Sequence, residues 1–600
     1  MRININVEDS LSSIMILTKF AIVVVFIICG VVTFGLINFS IYNSSQAIID
    51  PLFAYATTPT TQTSHSEHMS EMHHEASTNA TMSSEDKMRF CGNNATNSNL
   101  YVTEFVIPVQ CSQPVGLAVD KDNNIWIASG KLGSLLVFNT TTSEFDDIIK
   151  IPNWPEQTRI MGSMIWNMKF DRNGDLWFTD ELSNSIWKYF VKEEKFENYR
   201  LLEEGGYPQS ITFDSNGNVW FTQFFGNRLG FIEPSKVITN TTEGISELDM
   251  SRQIDFQTMG PISNGFGFSN TNTNDNYNDT DTTNPSPTEK NETLWFSTAI
   301  FPEGGHIIGY DVTAQALTIH DVTYTHSVPF SIAEDEKGLL WANNHITNLF
   351  FSLNPNTGEI KQYATSNPSA TGNLTTLPYY NEYRDGKIWF NEHYGNAIAS
   401  FDPMNKTLVE YYIPSQNPLW VNSSNPLRFT FDNNGSIWFT EWTENKLGVI
   451  TKDRLDQIPI TLEISKDKII LDSKNNKSDS IDIYIYENPV NFGKVINSTI
   501  TNSNDTTSTN DINDTVYITT DVTSSITKSG KLDNLTSSFS QDSIPVKNKP
   551  SGEIGPSPQL KTTLNVSPTP DSTPGNYTLT VSAKYGKEIT VSRIVDLEIK

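Results

Sequence analysis

Between residues 100 and 452 the chain alternates short apolar runs with polar turns on a steady beat. The clearest unit is a tryptophan-centred block, seen as NGDLWFTDELSN, NGNVWFTQFFGN and NGSIWFTEWTEN: a turn, a continuous apolar run, then a polar loop ending in Asn. It recurs at Trp126, Trp177, Trp220, Trp295, Trp341, Trp389 and Trp438, spaced by 51, 43, 75, 46, 48 and 49 residues. Short apolar runs bounded by turn residues read as strands. A period of roughly 40–50 residues is that of a four-stranded unit repeated around an axis. The pattern therefore predicts an all-β, seven-bladed β-propeller over residues 100–454.

Within a unit, a Pro-led alternating segment such as YPQSITFD (207–214) predicts the innermost strand. An Asp-x-Asn-Gly turn follows, as at 171–174 and 214–217, since Asn and Gly tolerate the positive φ of a tight hairpin. The Trp block is the second strand. NRLGFIEP (227–234) and NAIASFDP (396–403) supply the third strand, and LVEYYIP (408–414) the outer one. The outer pattern also precedes the first Trp, as VTEFVIP (102–108), while the last unit stops after LGVI (447–450). Residues 102–108 are thus expected to complete blade seven and close the ring, which removes a free sheet edge.

The pattern changes on both sides of the propeller. Residues 20–42 carry no charge; 23 residues at about 1.5 Å each reach roughly 34 Å, enough for a hydrocarbon core of about 30 Å. The run is longer than a signal-peptide core of about 7–15 residues, so it predicts a single-pass membrane helix. Arg2 and Lys19 precede it, placing residues 1–19 inside and the bulk of the chain outside the cell membrane. Sequons at Asn139, Asn240, Asn291, Asn373, Asn405 and Asn576 agree with an extracellular glycoprotein. Residues 43–99 read as a low-complexity stalk, 269–293 as an insert within blade four, and about 497–514 as another low-complexity stretch. From 455 to 600 the Trp block is gone, and short alternating strands predict an antiparallel β-sandwich. That segment resembles the immunoglobulin-like domains appended to many surface proteins.

Charge and cysteine usage narrow the partners. A formal net charge of −28 argues against nucleic acid. Of three cysteines, Cys29 falls in the apolar run, leaving Cys91 and Cys111 as the ectodomain pair, 20 residues apart. In an oxidising exterior a disulfide there would be worth about 3 kcal/mol; two separate buried thiols are the alternative.

The Leu-Trp-Phe-Thr-Glu block, the following Asn-x-Ile-Gly, the outer Glu-Tyr-x-Ile-Pro and the inner Pro-x-x-Ile together resemble the virginiamycin B lyase (streptogramin lyase) family, within the wider gluconolactonase-like (SMP-30) and NHL-like propellers. The resemblance covers roughly residues 100–452 and implies a C–O lyase in which a His after the inner-strand Pro is the base and nearby Glu residues hold Mg²⁺. Here the matching positions hold Val115, Gln209, Phe330, Tyr379 and Leu427, blade four has Ile262, and blade two replaces the Pro itself with Ile165. Val, Leu and Phe have no lone pair with which to take a proton.

A different polar set is expected at the same mouth: Asp180, Glu181, Gln223, Asn344, Asn381, Glu382 and His326 as ligand contacts, Glu392 and Glu441 as ligands for Mg²⁺ or another divalent metal, and His393 or His345 as base. The bland alternative is that the recurring Glu pairs with neighbouring blades. A second metal set lies in the stalk, where His65, His68, Met69, Met72, His73 and His74 offer the imidazole and thioether ligands that favour copper. Two functions follow from the sequence. One is a membrane-anchored extracellular propeller that binds a small molecule or a cell-surface glycan or protein, or acts as a scaffold. The other is a divalent-metal-dependent lyase or lactone hydrolase.

Overall fold

The computed structural model describes residues 84–93, 95–154, 163–224, 226–238, 242–259, 262–269, 292–300, 304–322, 328–345, 347–366, 375–488, 490, 515–524, 535–540, 543–545 and 560–600. The predicted membrane span 20–42, the stalk to residue 83 with its six copper-ligand candidates, the insert at 270–291, the 497–514 stretch, His326, and the sequons Asn240, Asn291 and Asn373 lie outside the described residues. No described helix is long and apolar enough to cross a membrane.

Each Trp repeat folds into a four-stranded antiparallel sheet, its strands ordered from the channel outward as they occur in the chain. Blade one comprises Pro114–Val119, Ile125–Ser129, Ser134–Asn139 and Glu144–Lys150, and the same order recurs over 168–200, 208–249, 262–322, 329–364 and 378–412. Blade seven takes three strands from the end of the repeat region, Pro426–Phe431, Ile437–Glu441 and Lys446–Ile450. Its outermost strand is Val102–Val106, paired antiparallel with Val102 opposite Ile450 and Val106 opposite Lys446. The seven inner strands touch in a closed ring, blade one meeting blade seven.

Apolar side chains assemble between blades rather than within them, and each interface receives one repeat Trp. Trp126 packs between blades one and two with Met168 and Phe178. Trp177 packs between two and three with Ile211 and Phe221, and Trp438 between seven and one with Ile127 and Leu136. A buried indole N–H must find an acceptor. In five blades it donates to the turn Asp six residues earlier, at 2.9 to 3.2 Å: Asp120, Asp171, Asp214, Asp335 and Asp432. The other oxygen of each Asp accepts two turn amides, as Asp432 does from Asn434 and Ser436. One Asp thus ties the hairpin to the inter-blade wedge. Blade six has Tyr383 at that spacing.

The Asn that ends each block is also structural. Asn184, Asn227, Asn396 and Asn445 sit at φ of 51–56°, a conformation Asn tolerates better than most residues. From there the Asn445 amide donates to the carbonyls of Ile107 and Val109 and accepts from the Ser112 N–H. It therefore fastens the closing strand to blade one. Gly448 serves close packing instead: a Cβ there would lie 2.3 Å from the Phe439 ring on the facing strand.

Two findings differ from the sequence expectation. The folded part starts before residue 100, with a helix at Ser84–Phe90, while Cys91 and Cys111 form the disulfide that the sequence reading expected. The C-terminal strands do not form a detached, purely antiparallel sandwich. Ile460–Ile464, Asp479–Glu487, Leu560–Pro568 and Leu535–Phe539 make one sheet. The other contains Ile589–Ile599, Gly575–Tyr585, Thr515–Ser524 and Ser543–Pro545, and Lys468–Leu471 joins it in parallel with Ile589–Ile599. This second sheet continues into blade six, because Ile589–Ile599 pairs antiparallel with Thr407–Tyr412. Trp389, Val409 and Tyr411 of blade six share one apolar core with Leu462, Leu579 and Val591. The reason is an edge: an outer blade strand is an open ladder of N–H and C=O groups, and here a second sheet fills it.

Candidate ligand mouth

The inner-strand proline sets the site's geometry. It pairs with the last residue of the second strand, as Pro114 with Ser129, Pro208 with Gln223, Pro329 with Asn344, Pro378 with Glu392 and Pro426 with Glu441. In blade four Ile262 meets Thr298, two residues before the end of its strand, and Asp180 ends the second strand in blade two. One face of the ring therefore carries Ser129, Asp180, Gln223, Thr298, Asn344, Glu392 and Glu441. All seven are buried, among them the expected mouth residues Asp180, Gln223, Asn344, Glu392 and Glu441. Loop glycines close over two of them, Gly226 over Gln223 and Gly395 over Glu392.

The partners explain most of them. Asp180 accepts from Ser163 (2.8 Å), Trp187 Nε1 (3.2 Å) and Ser183, while burial raises its pKa. Glu181 accepts from Trp166 Nε1 at 2.8 Å. Asn344 accepts the Val328 N–H at 2.8 Å. The Asn381 N–H donates to Ser331 Oγ at 3.1 Å and its Nδ2 to the Trp341 carbonyl at 3.0 Å, linking blades five and six. Glu382 accepts from the Tyr380 hydroxyl at 2.8 Å, with burial raising its pKa. Gln223 is enclosed: a Cβ on Gly206 or Gly226 would come within 2.5 Å of its Oε1.

Comparing blades at equivalent positions exposes a charge pattern that the sequence reading missed. In blade seven, Glu441 shares its place with Lys446, the first residue of the third strand, and with Glu104 on the outer strand opposite Gly448. Lys446 Nζ lies 2.9 Å from Glu104, both side chains having no exposed surface, and 4.0 Å from Glu444. Blade three repeats the arrangement with Gln223, Arg228 and Glu247, the last two 4.0 Å apart. Blade six has Glu392, Ala397 and Glu410, with no cation on its third strand. There, burial first and Glu410 second push the Glu392 carboxyl well above its ordinary range, and burial raises Glu410 as well. The legible signal was the residue directly after the block's Asn, which is Arg228, Ala397 or Lys446, combined with an outer-strand Glu.

The two histidines stack in parallel with ring centres 5.6 Å apart. Phe330 lies 5.0 Å and Tyr379 4.9 Å from His345, with Phe330 and Tyr379 5.1 Å from each other and Trp166 6.3 Å from Tyr379. The lyase base positions in blades five and six are therefore filled by aromatic rings packed on the imidazoles. Burial lowers the His345 pKa to about 4. Burial, then His345, holds His393 well below its ordinary value. A general base works best when its pKa is near the operating pH, and neither imidazole meets that condition.

The Mg²⁺ of the lyase resemblance does not fit these residues. Hard divalent cations require several converging oxygen ligands. Among the described residues no three His, Cys, Asp or Glu side chains gather as a metal-ligand set. Glu392 is packed against Glu410 and roofed by Gly395, where a Cβ would collide with its Oε2. Glu441 faces Lys446.

No protein-family model matches the chain, and no curated protein matches it. Among solved structures the chain is similar to virginiamycin B lyase from Staphylococcus aureus, at 21% identity and TM-score 0.44 over 58% of this chain and 98% of that one. It is also similar to a streptogramin B lyase, at 23% identity and TM-score 0.44 over 61% and 99%. A third likeness is to the extracellular domain of a one-component system from B. thetaiotaomicron, at 13% identity and TM-score 0.41 over 84% and 60%. At these identities the likeness is one of fold. The chain is an all-β protein built on a seven-bladed β-propeller, similar in fold to the streptogramin lyases.

Proposed function

We propose that this protein is a membrane-anchored extracellular propeller that binds a ligand or serves as a scaffold, without catalysing lactone opening. The observation that carries this reading is the aromatic filling of the mouth: Phe330 and Tyr379 occupy base positions, and they desolvate His345 and His393. Anchoring rests on the uncharged run at 20–42, and an exterior location on the sequons and on the Cys91–Cys111 bond. The stalk histidines and methionines would hold copper, and replacing His65, His68, His73 and His74 by Ala should abolish copper uptake by a 65–88 peptide.

The decisive experiment incubates the full chain with streptogramin B antibiotics and simple lactones, with and without Mg²⁺. No turnover is expected, and none that changes in His393→Ala. A turnover that falls by about 10² to 10⁴ in His393→Ala would establish that imidazole as a general base and overturn the binding reading.

A further inference from the structure

Three blades carry a glutamate at the same place on the outer strand, opposite the third residue of their third strand: Glu104 opposite Gly448, Glu247 opposite Gly230 and Glu410 opposite Ala399. In each, one carboxylate oxygen accepts a backbone N–H from just past the outer strand of the preceding blade: Ser415 to Glu104 at 3.0 Å, Leu202 to Glu247 at 2.7 Å and Ser366 to Glu410 at 2.9 Å. The other oxygen is set toward the start of the third strand. In blade seven that start is Lys446, its Nζ 2.9 Å away, and in blade three it is Arg228, its Nε 4.0 Å away. In blade six the corresponding residue is Ala397, which stops at its Cβ.

Blade six therefore keeps the acids of the arrangement without its cation. Glu410 and Glu392 are both buried, and Glu410 Oε2 and Glu392 Oε1 have no hydrogen-bond partner among the described residues. Lys584 of the C-terminal sheet lies 5.0 Å over the Tyr412 ring and bonds to neither oxygen. A buried carboxylate without a counter-charge is strongly unfavourable, and the two sister blades show which kind of group the fold puts beside it. That group carries a single positive charge. Two carboxylates are also too few converging oxygens for Mg²⁺, whereas an alkali ion needs no such full set of acids.

We propose that blade six binds an alkali-metal cation between Glu392 and Glu410, in the place that Lys446 fills in blade seven and Arg228 in blade three. Glu410 Oε2 and Glu392 Oε1 are its carboxylate ligands. The site lies within the blade, between its second and outer strands, and not in the channel. It also touches the junction with the C-terminal sheet, because Glu410 stands opposite Thr590 on the strand that extends blade six, and the Tyr412 hydroxyl two residues on meets Thr590 Oγ1 at 3.0 Å. The ion thus neutralises the blade edge to which that sheet is joined.

The test is a thermal melt of the full chain at pH 7 in choline, sodium or potassium chloride of equal ionic strength, so that screening of surface charge is the same in all three. The midpoint should rise by about 2–4 °C in an alkali salt relative to choline chloride, and the rise should saturate with concentration. Ala397→Lys, which brings its own ammonium, should lose that rise, and so should Glu410→Gln, which carries the comparison alone if the buried lysine prevents folding. Equal midpoints in the three salts would leave the pair held by a shared proton only and overturn the proposal. A rise that persists in Glu410→Gln would put the ion elsewhere, and one seen only with calcium or magnesium chloride would make the ligand divalent; either result refutes it. The outcome does not depend on whether the mouth binds a ligand or turns one over.

Discussion

Replacing Lys446 by Met tests the charge arithmetic at the closure of the ring. The Lys446 ammonium and the Glu104 carboxylate have no exposed side-chain surface and lie 2.9 Å apart. Glu104 also accepts from the Ser415 N–H (3.0 Å), Ser415 Oγ (2.7 Å) and the Asn97 N–H (3.1 Å), so three neutral donors and one cation hold the carboxylate. Met keeps the length of the side chain but leaves Glu104, Glu441 and Glu444 facing one another. Removing one partner of a buried pair costs about 3–5 kcal/mol. The loss should appear as a lower urea midpoint followed by tryptophan fluorescence at pH 7. It should shrink as pH falls, because burial already raises the Glu441 and Glu444 carboxyls and protonation removes their charge. Glu104→Gln combined with Lys446→Met should recover much of the loss, since the pair then carries no unbalanced charge. A Lys446→Met chain within about 0.5 kcal/mol of wild type, or a double variant as unstable as the two singles added together, would refute the reasoning.

The remaining predictions concern pH and the repeat. His345 has a folded pKa of about 4 against about 6.5 unfolded, so its contribution, about 3 kcal/mol at most, is present above pH 6.5 and lost as pH falls from 6.5 through 4. His345→Gln should flatten that acid limb in a thermal-melt series, and an unchanged limb would place the titration elsewhere. Glu392 has a raised pKa, so its contribution is present below about pH 4.5 and lost as pH rises through the raised value. Glu392→Gln should therefore tilt the same melt profile in the opposite sense to His345→Gln. Asp432→Ala removes the acceptor of the Trp438 indole and of two turn amides; a loss of about 1–3 kcal/mol is expected by urea titration, and a neutral result would make the Trp–Asp link incidental.

The ring was readable because its information is local. A Trp every 43 to 51 residues, apart from the insert in blade four, and an outer-strand pattern stranded at 102–108 are enough to count the blades and close them. The Asp six residues before five of the seven Trp residues was equally visible, but the turn chemistry accounted for it and hid its bond to the indole. The mouth was half-readable. Chain order places Gln223, Asn344, Glu392 and Glu441 at the right end of their strands, but says nothing of whether they face the channel or fold beneath a loop. The ion pair of Glu104 with Lys446 spans 342 residues, and the pairing of Tyr411 with Ile589 joins two strands that each read as ordinary edges. The first is legible only by comparing equivalent positions between blades, and the second has no local signature.

Closure by the first strand also imposes a timetable. Val102–Val106 leaves the ribosome early, yet its partner Lys446–Ile450 follows almost 350 residues later. At synthesis rates of about 5–20 residues per second the strand waits roughly 17–70 s with both ladder edges unsatisfied. Such a long-range pairing is slow to form and exposed to misassembly in the interval. The Cys91–Cys111 bond, by contrast, joins residues that are made together. It can form long before blade seven exists, leaving the start of the chain already looped when the last blade arrives to receive it.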